Sequence, residues 1–143
     1  MIRGSCLCGA VRFEVERVSA PFELCHCKRC RKASGSAFVA ALSAAGRDMR
    51  FLGGEDLIGK YEAPILERPP AYRVWFCSRC GSTVPNPSAD GASWFIPAGA
   101  LDDDPHLRPD KHIYVELKAP WETIAGDLPQ MTKQQIRAHR AAK

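Results

Sequence analysis

Seven cysteines in three tight groups constrain this chain more than any other feature of its sequence. They fall as Cys6 and Cys8; Cys25, Cys27 and Cys30; and Cys77 and Cys80, with none outside a group. In shorthand the groups read CxC, CxCxxC and CxxC. An odd number of cysteines leaves one thiol over in any disulfide framework. Short-range pairs suit a metal instead, because thiolates bind zinc at ~2.3 Å in a tetrahedron and a single turn must aim two sulfurs inward. Cys77-Ser78-Arg79-Cys80-Gly81 can do this in a tight turn that Gly81 relaxes. Cys6 and Cys8 can do it where a strand ends, since residues i and i+2 share a face.

Two such pairs make four ligands. Cys6, Cys8, Cys77 and Cys80 would close a structural zinc site tying the N-terminus to mid-chain. Cys25, Cys27 and Cys30 lie close enough to share a second zinc, and three protein ligands with an open position is the catalytic pattern. Spacing leaves a second partition open, with Cys6, Cys8, Cys25 and Cys27 closed and Cys30, Cys77 and Cys80 left over. The first partition needs fewer long loop closures for its three-ligand site. Two purely structural sites, one completed by a distant histidine or carboxylate, are the plainer reading. An iron–sulfur cluster would want a proline-flanked fourth cysteine near the triplet, and the sequence has none there.

Length and composition narrow the scaffold. The 143 residues suit one ordinary domain, and 45% hydrophobic with 25% charged residues is a globular balance. The 11 prolines exceed the usual share of about 5%, which argues against a helical bundle and for a loop-rich, mainly β chain. A net charge of +4 is mild for a nucleic-acid binder, so no nucleic-acid partner is expected. No run approaches the ~20 apolar residues of a membrane span, and the first residues contain no apolar signal core. A cytoplasmic location with no membrane partner is the expectation. In that compartment a thiol-rich chain binds metal more readily than it forms disulfides.

Along the chain, Val11, Phe13 and Val15 alternate with Arg12, Glu14 and Glu16, a half-buried strand. Residues 22–25 form a short strand delivering the triplet, and 28–34 read as helical turns ended by Gly35. Further strands are predicted over 37–43, 49–52, 72–76 and 94–96. Ile113, Val115 and Leu117 alternate with Tyr114, Glu116 and Lys118 and predict a one-sided strand. From Thr132 onward, Thr132 and Gln135 stand at capping-box spacing ahead of a helix with a thin apolar face.

These words resemble a known family. Gly4-Ser5-Cys6-Leu7-Cys8-Gly9-Ala10-Val11, Cys25-His26-Cys27 running to Cys30-Arg31-Lys32-Ala33-Ser34-Gly35, and Phe76-Cys77-Ser78-Arg79-Cys80-Gly81 are similar to motifs of the glutathione-dependent formaldehyde-activating enzymes. Gly99-Ala100-Leu101-Asp102-Asp103, Lys111-His112-Ile113, Trp121 and Asp127-Leu128-Pro129 continue the resemblance, which runs from about residue 2 to 131. It implies a mainly β, zinc-stapled β-tent fold of small antiparallel sheets with short helical turns. The domain would span 1–131, with 132–143 as a helical tail. Two zincs per chain are implied: Cys6, Cys8, Cys77 and Cys80 around a structural one, and Cys25, Cys27 and Cys30 around a catalytic one. The implied activity is condensation of glutathione with formaldehyde to S-hydroxymethylglutathione, a carbon–sulfur lyase reaction. Lys28 and Arg29 depart from the pattern, because the family commonly has a small polar and an acidic residue there.

The residues themselves permit such chemistry. Zinc with three thiolates is electron-rich and suits activation of a substrate thiol better than of water. Lys28, Arg29, Arg31 and Lys32 could attract a carboxylate-bearing thiol, or merely form a solvated turn. His26, between two ligands on an extended run, should point away from the metal and take a hydrogen-bonding role. His106 and His112 read as surface loop histidines, either of them available as a general acid. Asp102, Asp103 and Asp104 read as turn residues, and Trp75, Trp94 and Trp121 as core or pocket wall. A non-catalytic zinc module that binds a partner protein is the alternative from another class.

Overall fold

Strands make up most of the regular structure, as the proline count and the short alternating runs predict. The computed structural model describes residues 1–143. In chain order it contains β1 (Ile2–Ser5), β2 (Arg12–Val15), β3 (Ser19–Cys25), α1 (Lys28–Ser34), β4 (Val39–Ala45), β5 (Met49–Gly53) and β6 (Ile58–Glu62). There follow β7 (Arg73–Cys77), β8 (Thr83–Val84), β9 (Asn86–Pro87), β10 (Ser93–Pro97), β11 (Lys111–Ile113), β12 (Gln130–Met131) and α2 (Lys133–Ala141). The chain forms two compact units, residues 1–20 with 42–107 and residues 21–41 with 108–143. No helix is long and apolar enough to cross a membrane.

In the first unit β2 is central. It pairs antiparallel with β1, Gly4 opposite Phe13, and with β5, Phe13 opposite Phe51 and Val15 opposite Met49. Val11, Phe13 and Val15 are fully buried while Arg12 and Glu16 face water, the alternation that the sequence displays. Burying each such side chain contributes about 1.5–3 kcal/mol, enough for three residues to fix the strand's register. On the outer face Arg50 pairs with Glu14 across the same strands. A second antiparallel set places Ile58 of β6 opposite Cys77 of β7, and Phe76 opposite Thr83 of β8. Cys6, Val11, Cys77 and Val84 form one buried cluster, with Phe51, Leu57, Ile58 and Trp75 packed against it.

In the second unit β11 pairs in parallel with β3 and with β12. Leu24 of β3 lies opposite His112 of β11, Cys25 opposite Ile113, and His112 in turn opposite Gln130 of β12. α1 occupies the predicted residues and ends at Gly35, whose left-handed backbone (φ 65°) lets its amide close on the Arg31 carbonyl at 2.8 Å. α2 begins with the predicted capping box: the Thr132 hydroxyl accepts from the Gln135 amide at 3.3 Å, and the Gln135 side chain accepts from the Thr132 amide at 2.8 Å. Its apolar face is thin, with Ile136 its one buried residue, and polar contacts supplement it. Arg140 donates to Glu23 on β3 at 2.8 Å, and the Lys133 amide donates to Glu116 at 2.9 Å.

The strand predicted across residues 113–118 is not formed. β11 stops at Ile113, Tyr114 takes a left-handed backbone (φ 55°), and Val115–Leu117 form a short 3-10 turn. Lys111, His112 and Ile113 are all buried, as befits a strand flanked on both edges by parallel neighbours, which has no solvent face to alternate towards.

Candidate metal centres

The first unit gathers Cys6, Cys8, Cys77 and Cys80, whose four sulfurs lie within 4.8 Å of one another. Two similar turns deliver them. After β1 the Gly9 amide bonds to the Cys6 carbonyl at 2.9 Å; after β7 the Gly81 amide bonds to the Cys77 carbonyl at 2.7 Å. Gly9 and Gly81 have φ of 77° and 79°, a left-handed conformation costing an L side chain roughly 1–2 kcal/mol. Cys6 and Cys8 therefore converge through a glycine-closed turn rather than as two residues on one strand face. The Leu7 amide, held by the Ser82 hydroxyl at 2.8 Å, ties one turn to the other.

Sulfur chemistry differs around this cluster. Burial pushes the Cys6 thiol up, but the Val11 amide at 3.3 Å and the neighbouring Cys8 and Cys77 sulfurs bring it below the ordinary value. Cys80 is brought down to about 5, first by the Ser82 hydroxyl 3.3 Å from its sulfur and then by the Ser82 and Cys8 backbone. At Cys8 the Ala10 amide lowers the pKa, yet desolvation and the neighbouring thiols prevail and push it up to about 11. The Cys6–Cys8 and Cys8–Cys77 sulfur separations are 3.5 and 3.8 Å.

The second unit gathers Cys25, Cys27 and Cys30, again within 4.8 Å. Cys25 ends β3, Cys27 caps α1, and Cys30 sits in the helix's first turn. The Cys27 sulfur accepts from the Cys30 amide at 3.3 Å. Its thiol is driven far below the ordinary range, first by the Cys25 and Cys30 thiols and then by the Cys30 and Arg29 amides. Cys25 is driven the other way by the same two neighbours and by burial. A cation brought among the sulfurs would favour ionising all three.

His26 stays out of this group, as its place between two extended ligands predicts. It is fully buried, and its Nε2 lies 2.8 Å from Nδ1 of His112, one hydrogen bond, while its own Nδ1 has no partner. Burial pushes both imidazoles below their ordinary pKa, so the pair is neutral near pH 7. His112 is therefore not a surface loop residue: it lies buried on β11, with Phe38 edge-on to its ring. Its burial comes from parallel neighbours on both edges of β11, which no local sequence signal states. His106 is the exposed one, its amide bonded to Asp104 at 2.8 Å. Asp102 accepts from the Ser5 hydroxyl at 2.9 Å and Asp103 from the Arg3 amide at 2.8 Å, so these carboxylates fasten loops. Trp75 and Trp94 stack edge-on, ring centres 6.1 Å apart, whereas Trp121 is 70% exposed.

Both clusters are donor sets that could hold a metal ion. The family model described as "Glutathione-dependent formaldehyde-activating enzyme" matches residues 1–117. A Halomonas elongata protein named "Putative glutathione-dependent formaldehyde-activating enzyme" is 32% identical over 127 residues, covering 87% of this chain and 81% of that protein. A crystal structure of a Rhodobacter sphaeroides protein is similar in fold, with a TM-score of 0.54 and 23% identity over 90% of this chain and 98% of that one.

Proposed function

The chain belongs to the glutathione-dependent formaldehyde-activating enzyme family, and from that premise we propose that it is a zinc-dependent carbon–sulfur lyase acting on a thiol–aldehyde adduct. Glutathione and formaldehyde are the reference pair. The observation that carries the reading is the Cys25, Cys27 and Cys30 cluster, three sulfur donors with no fourth protein ligand in the group. Sulfur donors select soft or borderline metals, and the sulfur separations at the other cluster match the ~3.8 Å edge of a tetrahedron with ~2.3 Å metal–sulfur bonds. Cys6, Cys8, Cys77 and Cys80 would hold a structural zinc, and Cys25, Cys27 and Cys30 a catalytic one.

When bound by three thiolates, zinc supplies a fourth position at which a substrate thiol loses its proton readily. The chain's own residues do the rest. The low Cys27 pKa keeps that donor ionised, and the neutral His26–His112 bond holds β3 and β11 together beside the triplet. Lys28, Arg31 and Lys32 place positive charge on the helix that carries Cys30, favouring an anionic thiol. In the forward reaction the thiol sulfur bonds to the aldehyde carbon, the carbonyl π pair moves to oxygen, and the thiol proton ends on that oxygen. We assign the activity to residues 1–131, with 132–143 as a tail, in a cytoplasmic setting that keeps the seven thiols free.

Native mass spectrometry under reducing conditions, paired with exchange NMR of glutathione and formaldehyde, tests this. Two zincs per chain and accelerated exchange that Cys27→Ser abolishes are expected. Two zincs with no acceleration for any thiol–aldehyde pair would overturn the enzymatic reading in favour of a zinc module that binds a partner protein.

A further inference from the structure

One face of α1 carries three cations that form no ion pair within the protein. Lys28, Arg31, Lys32 and Gly35 fall on one side of the helix, and with Ser36 and Trp121 they line an open cleft of about 430 Å³. Half of the lining is cationic and none of it acidic. Several other cations are matched: Arg3 with Asp103, Arg50 with Glu14, Arg73 with Glu62, Lys111 and Arg140 with Glu23. Lys28, Arg31 and Lys32 form no ion pair, and Nε of Arg31 is buried without a hydrogen-bond partner. Like charges at i, i+3 and i+4 oppose the helix, so this face is destabilising until an anion arrives. Trp121 adds an aromatic surface, 70% exposed, at the cleft wall.

We propose that this cleft binds a phosphate-bearing anion attached to a flat ring, of the nucleoside diphosphate type, with phosphates on Lys28, Arg31 and Lys32 and the ring on Trp121. Two ammonium groups beside a forked guanidinium suit a dianionic phosphate. An amino-acid head group would bring an ammonium with its carboxylate, and the lining has no acidic group to receive it. An exposed indole is a stacking surface for a base. The binding does not rest on the function proposed above.

Titration calorimetry of the intact protein at low salt tests it with probes that carry no thiol: ADP, pyrophosphate, glutarate and a short oligothymidylate. ADP should bind about tenfold more tightly than pyrophosphate, the ring's share, and glutarate more weakly than either. The Arg31→Gln/Lys32→Gln double variant should weaken ADP and pyrophosphate alike, by at least about tenfold. Trp121→Ala should bring ADP down to the pyrophosphate level and leave pyrophosphate unchanged. Circular dichroism confirms that the variants fold. No ADP binding, binding indifferent to either variant, glutarate as tight as ADP, or the oligonucleotide preferred over ADP would each overturn the site. Lost thiol–aldehyde turnover with ADP binding intact would strike the proposed reaction and leave the cleft standing.

Discussion

Cys27 has two jobs, and a pair of substitutions separates them. Its sulfur belongs to the three-cysteine cluster, and the same atom caps α1 by accepting from the Cys30 amide at 3.3 Å. α1 has seven residues, well short of the ~12–15 that an isolated helix needs, so its ends matter. Serine is among the best N-caps, whereas losing a cap to alanine costs about 1 kcal/mol, within a range of roughly 0.5–2. For a chain of this size 1 kcal/mol moves Tm by roughly 2–4 °C. Cys27→Ala should therefore melt about 2–4 °C below Cys27→Ser. Comparing the two variants with each other, not with the parent, cancels the metal's contribution, because both lack the same sulfur. Native mass spectrometry and exchange NMR on the same samples should find the second zinc and the turnover lost in both. Equal melting points would refute the cap, and a serine variant that keeps its second zinc and its turnover would refute the ligand.

Cys77 is fully buried in the core cluster, so Cys77→Ser should abolish near-UV circular dichroism in residues 1–20 and 42–107, where Cys27→Ser preserves it. The scale is set by structural zinc in finger peptides, at about 10–16 kcal/mol, which equals or exceeds a whole domain's ~5–15 kcal/mol. A native near-UV spectrum in Cys77→Ser would overturn this. Burial holds His112 below its ordinary 6.5, so the unfolded chain takes up that proton first; stability is complete above about pH 6.5 and falls as pH drops towards the folded value. Urea titrations across that range should give a shallower loss for His112→Asn than for the parent, and equal slopes would contradict the assignment. Ile136→Ala, removing the one buried side chain of α2, should cost about 2–5 kcal/mol in urea unfolding, and a loss under about 1 kcal/mol would mean that Arg140 and the capping box hold the tail instead.

Local signals in the sequence carried far. The spacing of seven cysteines marked the three local groups and favoured, without fixing, the four-and-three partition that the structure has, because tight turns are short-range devices. Val11, Phe13 and Val15 announced a one-sided strand, and Gly35 and the Thr132–Gln135 pair marked helix ends that the structure has. Long-range pairing was not legible. The parallel β3–β11–β12 arrangement depends on what lies beside Lys111-His112-Ile113, and nothing within those three residues states it. The alternation from Ile113 to Leu117 was real as a pattern, yet it winds through a left-handed Tyr114 and a 3-10 turn. His112 was misread for the same reason: its burial is a property of its neighbours on β3 and β12, not of the Asp/Pro-rich stretch before it.

The two clusters differ in donor count, and strand geometry supplies a reason. Cys6, Cys8, Cys77 and Cys80 each come from a turn closed by a glycine, and both turns lie against the same apolar cluster, so four sulfurs can face inward. At the triplet the chain is still extended as it leaves β3, and consecutive residues of an extended chain face opposite sides. Cys25 and Cys27 share one side, which leaves His26 on the other, where His112 receives it at 2.8 Å and Phe38 packs against the ring. The nearest imidazole is thereby engaged away from the sulfurs. Moving it into the cluster would break a buried hydrogen bond and leave His112 Nδ1 without a partner in an apolar surrounding, at a cost of about 1–3 kcal/mol. A three-donor cluster is thus what this backbone enforces, and the open position that the proposed function needs for a thiol would follow from the same alternation that hides His26.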